Sequence, residues 1–138
     1  MIMEPARFSL VDYHFDKVTL NLDMLKPKAS FDIDFIPSGI YIAQESSYIL
    51  TFVFKAGYKD SEDTVIFVRC QAKYVFKNVS SFSEVPSFFY NNAIAILFPY
   101  IRSFVSTVTL QANIQPLLLP TLNLSDLQNV LREHTIVQ

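Results

Sequence analysis

Asp12, His14 and Asp16 alternate along one short stretch of the chain. On a β-strand this spacing puts all three on one face, where two carboxylates around an imidazole could move protons or hold a metal. Alternating carboxylates are also the ordinary covering of a solvated sheet face, and that description fits Asp12, His14 and Asp16 as it fits Asp32 and Asp34. Cys70 is the single cysteine, so it forms no internal disulfide, and it falls on the apolar parity of its strand, which predicts a buried, inert thiol. His14 and His134 have no second thiol with which to build a zinc cluster. The two glycines, Gly39 and Gly57, exclude a phosphate-binding loop and a dinucleotide-binding turn. The expectation is therefore a protein that is not an enzyme and uses neither cofactor nor metal.

The elements that carry these residues begin with strands. Val11, Tyr13 and Phe15 alternate with polar residues, and Val18, Leu20 and Leu22 continue on the other parity. That change predicts an extra residue, a bulge or bend, near Asp16 and Lys17. After a linker holding Lys26, Pro27 and Lys28, the run Phe31, Ile33, Phe35 predicts a half-buried strand ending at Pro37-Ser38-Gly39, with Tyr41 and Ile42 a minor continuation. Tyr48 to Lys55 and Thr64 to Phe76 read as a hairpin around the turn from Gly57 to Asp63. On the second of these runs Ile66, Val68, Cys70, Ala72, Tyr74 and Phe76 form one uniformly apolar face.

The period then changes. Ile94, Leu97, Phe98, Ile101, Val105 and Val108 fall at i, i+3, i+4, i+7, i+11 and i+14, a helical stripe. A start near Leu97 would place Pro99 in the first turn, where it is tolerated, and Asn113 suits the position just past the end. Ala95, Tyr100 and Phe104 lie off the stripe, so the helix is apolar most of the way round, as in a sandwiched element. The segment from Leu117 to Leu124 is greasy but interrupted by Pro120, hence extended. Ser125 opens a final helix with Gln128 positioned for a capping box and Leu127, Val130 and Leu131 facing inward.

Composition bounds the function. The chain has 138 residues, enough for one domain over 1–138. With 51 % hydrophobic and only 17 % charged residues it is not disordered. A net charge of −2 gives no attraction to nucleic acid. Between Val85 and Ser125 the only charge is Arg102, yet prolines and asparagines interrupt the region, so no membrane insertion is expected. The start, Met1 to Arg7, shows no basic region leading into an apolar run, so a cytoplasmic location is expected. Phe31, Ile33, Phe35, Ile66, Val68, Tyr100, Leu117, Leu119, Leu122 and Leu124 exceed what a small core needs. An apolar groove for extended chain would use them, and so would an oligomer interface.

Ile96-Leu97-Phe98-Pro99-Tyr100-Ile101-Arg102, followed by Pro116-Leu117-Leu118-Leu119-Pro120-Thr121-Leu122-Asn123-Leu124, resembles the signature of the SecB export chaperones, I-L-F-P-Y/F-A-R and then P-P-L-L-L-A-P-x-N-F. The spacing from Phe98 to Asn123 fits without a gap, while Gln115, Ala112, Asn113, Thr121 and Leu124 depart from the pattern. The resemblance implies an α+β fold: a four-stranded antiparallel Greek-key sheet, a long helix, a Leu/Pro connecting loop and a short C-terminal helix. It implies an ATP-independent holdase for unfolded precursor proteins, or, in the toxin–antitoxin subclass, for an antitoxin. By position it places the peptide groove at Ile33, Phe35, Ile66, Val68, Tyr100, Leu117, Leu119, Leu122 and Leu124. It places a homo-oligomer interface, a dimer of dimers, at Ile94, Leu97, Ile101, Phe104, Val105 and Val108. Lys17, Asn21 and Arg69 stand where the family carries acidic residues for the SecA motor, so client holding is implied more strongly than SecA coupling. A small apolar-ligand carrier and a pure oligomerisation module are the rival expectations.

Overall fold

The computed structural model describes residues 7–120 and 123–138. Strands β1 (Phe8–Leu20), β2 (Asp32–Ile42), β3 (Ser47–Gly57) and β4 (Thr64–Phe76) are followed by helices α1 (Phe89–Gln111) and α2 (Ser125–Glu133), then by the short strand β5 (Thr135–Val137). The sheet order is β1-β4-β3-β2-β5. The first four strands pair antiparallel in the expected Greek-key order, with β1 returning beside β4. β5 lies parallel to β2 and makes the sheet a mixed five-stranded one, a correction to the purely antiparallel expectation. Three residues after a helix carry too little pattern to announce a strand.

The predicted parity change in β1 is a register shift between Phe15, opposite Cys70, and Lys17, opposite Arg69, with Asp16 as the extra residue. A second shift at Val11 lets Phe8 and Leu10, on one parity, share the inner face with Tyr13 and Phe15 on the other. β2 does not stop at Pro37-Ser38-Gly39; it runs unbroken to Ile42. The reason is directional. The Gly39 N–H donates to the His134 carbonyl at 3.0 Å, so the nitrogen of Pro37, two residues earlier, faces the same edge beyond the reach of β5, and no ladder bond is lost.

α1 begins at Phe89, a full two turns before the expected start near Leu97, so Pro99 lies inside the helix. An interior proline removes the donor to the Ala95 carbonyl and costs roughly 3 kcal/mol. Ala95 and Pro99 are both exposed, which leaves that carbonyl to water. Packing of the first two turns offsets the cost: Phe89 meets Phe8, Tyr48, Tyr74 and Phe76 at ring-centroid distances of 4.8–5.5 Å, and aromatic pairs of this kind add roughly 0.5–1.5 kcal/mol each. The far end closes as expected. Asn113 adopts φ 63°, and the N–H groups of Asn113 and Ile114 donate back to Leu110 and Thr109, capping the orphan carbonyls.

Ile94, Leu97, Ile101 and Val105, expected at an oligomer interface, are fully buried against the chain's own sheet. Phe104, half-buried, stacks on Phe15 at 3.9 Å, and Val108 is half-buried too. A long apolar stripe is satisfied first by the sheet of its own protomer. What α1 leaves outside is the opposite face, with Ile96, Tyr100 and Leu110 exposed. By length and composition α1 would suffice to cross a membrane, with a mean hydropathy of 1.6 in its most apolar window. Its inner side chains fill the core instead. The capping box at Ser125 does not form, because Ser125 is already the first helical residue; the Asn123 side chain accepts from the Ser125 N–H at 3.1 Å and from its hydroxyl at 2.6 Å.

Candidate functional site

The site is built where the chain leaves α1. Thr109, buried in the last helical turn, donates its hydroxyl to the Val105 carbonyl at 2.8 Å and accepts the Leu117 N–H at 2.9 Å. The loop is thereby folded back on the helix. Leu119 is driven into the core, 2 % exposed, while Leu118 stands out at 73 %. On one side of this loop a depression of about 310 Å³ is lined by Pro99, Arg102, Ser103, Ser106, Leu118 and Leu119.

On the other side lies a cleft of about 640 Å³ between the start of the loop, the linker that joins β1 to β2, and the turn after β3. Leu25, Phe31, Ile33, Tyr58, Ile114 and Leu117 supply its apolar lining. Phe31 stacks on Tyr58 at 5.2 Å and an interplanar angle of 21°. The Lys26 N–H donates to the Tyr58 hydroxyl at 2.9 Å, and the Lys26 ammonium reaches Asp60 at 3.0 Å and lies 5.1 Å over the Tyr58 ring. Linker and turn therefore form one wall. The hydrogen bond from Lys26 holds the Asp60 carboxyl below the usual carboxylate range.

Of the expected groove residues, Ile33 and Leu117 meet in this cleft. Ile66 and Val68 are buried in β4 and have no surface to offer, because the apolar face of that strand is covered by its own chain. Phe35 packs on Phe52, Phe54 and Phe98, and Leu124 packs against the core. Tyr100 is 44 % exposed beside Tyr13, apart from the cleft and with ring centroids 4.6 Å apart. Leu119 is buried as described, and Leu122 lies outside the described residues. Sequence reasoning missed Leu25, Tyr58, Ile114 and the exposed Leu118. The available signal was Tyr58, an aromatic in an otherwise polar turn, facing a linker that carries Lys26 and Lys28.

Elsewhere, Asp12 and His14 face out with Gln71 and Lys73 around a shallow hollow, and Asp16 turns to Arg69. Among the described residues no three His, Cys, Asp or Glu gather as metal ligands. Burial, reinforced by the charge of Asp16, pushes the Cys70 thiol up to about 12. The Arg69 Nε holds both Asp16 oxygens at 3.0 and 3.1 Å, and Lys17 lies 5.4 Å over the Phe67 ring. Asn21 donates its amide to the Thr64 carbonyl at 2.8 Å.

No protein-family model matches the chain. Over 61 residues the chain is 39 % identical to an uncharacterised protein of Methanocaldococcus jannaschii, a match covering 41 % of this chain and 36 % of that protein. The chain thus spans little more than a third of the curated relative. The structure superposes on the Mycobacterium tuberculosis SecB-like chaperone, solved in complex with a ChAD peptide from the HigA1 antitoxin, with a TM-score of 0.66 at 17 % identity over 85 % of this chain and 91 % of that one. The fold is SecB-like. The order expected for this fold, strands, long helix, Leu/Pro loop and short helix, is the order observed, and β5 is the addition that the sequence pattern did not announce. A protein of unknown function from Streptococcus agalactiae covers 84 % of the chain at 17 % identity with a TM-score of only 0.33.

Proposed function

We propose that this chain is an ATP-independent holdase that keeps short stretches of non-native polypeptide extended in the cleft beside its Leu/Pro loop. The observation that carries the proposal is the cleft itself: an apolar lining from three separate segments, held open by the Thr109 anchor on one side and the Lys26–Tyr58–Asp60 stitching on the other. Burial of client side chains at about 25 cal/mol per Å² gives affinity without sequence stringency. A SecB-like fold in complex with a peptide from an antitoxin supports a polypeptide client.

Antitoxin protection is the favoured role over export. Asn21 and the paired Arg69 leave no acidic surface at the positions where the resemblance would place the export motor's docking face. Self-association, in the cytoplasm, would use the outer face of α1 at Ile96, Tyr100 and Leu110. The test is aggregation of a chemically denatured model protein, such as reduced α-lactalbumin, with and without the chain. Suppression near a stoichiometric ratio, lost in Leu117→Asp, is the expected outcome, and absence of suppression by the unmodified chain would overturn the proposal. Light scattering then measures the assembly, which Ile96→Asp should reduce.

A further inference from the structure

Among the described residues the cleft holds one uncompensated cation at its lip. Its lining includes Lys26 and Lys28 and no carboxylate. Lys26 is shared with Asp60, which stands outside the lining; Lys28, at φ 60° on the exposed linker, makes no ion pair among the described residues. The same lining holds the stacked rings of Phe31 and Tyr58 with Leu25, Ile33 and Leu117. The whole chain is negative, −2, so its overall field disfavours an acidic partner. Any preference for acid must therefore come from this lip.

We infer that the cleft selects polypeptide segments in which a large aromatic or aliphatic anchor is flanked by Asp or Glu, and discriminates against the same anchor flanked by Lys or Arg. The inference rests on the holdase reading and narrows it from any unfolded chain to a charge class. The rings offer an offset-stacking floor to an aromatic anchor. The Lys28 ammonium, which makes no ion pair among the described residues, complements a carboxylate flanking the anchor, and a like charge placed there is repelled; complementary rim charges of this kind set partner choice and register more than total affinity. Lysine acts here as a flexible point charge, so the preference requires acidic flanks without fixing their spacing.

The test uses the full chain and three fluorescent peptides with one common Phe/Leu centre, flanked by Glu, by Ser or by Lys, with binding read by anisotropy at low salt. The Glu-flanked peptide should bind tightest and the Lys-flanked peptide weakest, with about a tenfold spread between them. The spread should collapse at about 0.5 M salt, where screening acts within roughly 4–5 Å, and in Lys28→Glu. Equal or reversed affinities in the unmodified chain, with all three peptides weakened alike by Leu117→Asp, would overturn charge selection and leave the cleft as the holding site. If no peptide binds, or Leu117→Asp changes none of them while the fold is intact by circular dichroism, the holding site itself is misplaced and the inference falls with it.

Discussion

The Thr109 hydroxyl accepts the Leu117 N–H at 2.9 Å while donating to the Val105 carbonyl one turn earlier in α1. One buried side chain thus joins the helix to the leucine-rich loop and sets which leucines face the core. Thr109→Val keeps the volume and removes the acceptor, leaving the Leu117 amide unsatisfied at a cost of about 1–3 kcal/mol. The expected outcome is a lower melting temperature and faster proteolysis between residues 114 and 120, with Thr109→Ser close to the parent.

Gly39 is required by a neighbour rather than by its backbone angles. A Cβ there would overlap the Tyr48 ring, whose hydroxyl meets Thr135 at 2.6 Å, and Thr135 in turn donates to Leu131 at 2.7 Å. Gly39→Ala should therefore unseat β5 and the end of α2 together, destabilising by about 1–3 kcal/mol as overpacking does. In a Tyr48→Leu background the penalty should shrink, which a double-mutant cycle measures.

Alkaline stability follows from burial. The Cys70 thiol sits at about 12 in the folded chain, against about 8.5 in an unfolded one. Between those values the folded state holds a proton that the unfolded state releases, so stability falls as pH rises from about 8.5, with a limiting slope of about 1.4 kcal/mol per pH unit for one group. Tyr48 and Tyr74, also raised by burial, steepen the fall above about pH 10. Denaturant titrations of Cys70→Ala between pH 9 and 10 should show a shallower decline.

Leu118 and Leu119 are adjacent and opposite in role. Leu118→Asp, on an exposed side chain, should change stability by no more than about 0.5 kcal/mol and, because Leu118 lies outside the cleft lining, leave suppression of aggregation intact. Leu119→Asp places a carboxylate in the core and should prevent cooperative folding. Melting curves paired with the aggregation assay separate the two.

The hairpin of β3 and β4 and the bulge at Asp16 were legible because each rests on side-chain alternation, which a strand exposes directly. The start of α1 was not: Phe89 and Tyr90 lie upstream of the periodic stripe, and Pro99 argued locally for a later start that aromatic packing around Phe89 overrides. For the site, the Leu/Pro loop could be read but its depth could not. Leu117, Leu118 and Leu119 are chemically alike, and their exposure is set by tertiary contacts such as the Thr109 hydrogen bond and core packing, which the sequence pattern does not carry. Ile66 and Val68, expected in the groove, lie buried in β4, since apolar parity marks a buried face without saying what covers it.

Pro99 divides α1 into two stretches with different neighbours. The stretch from Phe89 is moored in the aromatic cluster, whereas the one towards Gln111 carries the cleft-forming loop. A ladder short of one rung at that point leaves the Ala95 carbonyl to water and marks a local weak place between two buried stretches, so amide exchange should be faster around residue 99 than on either side of it.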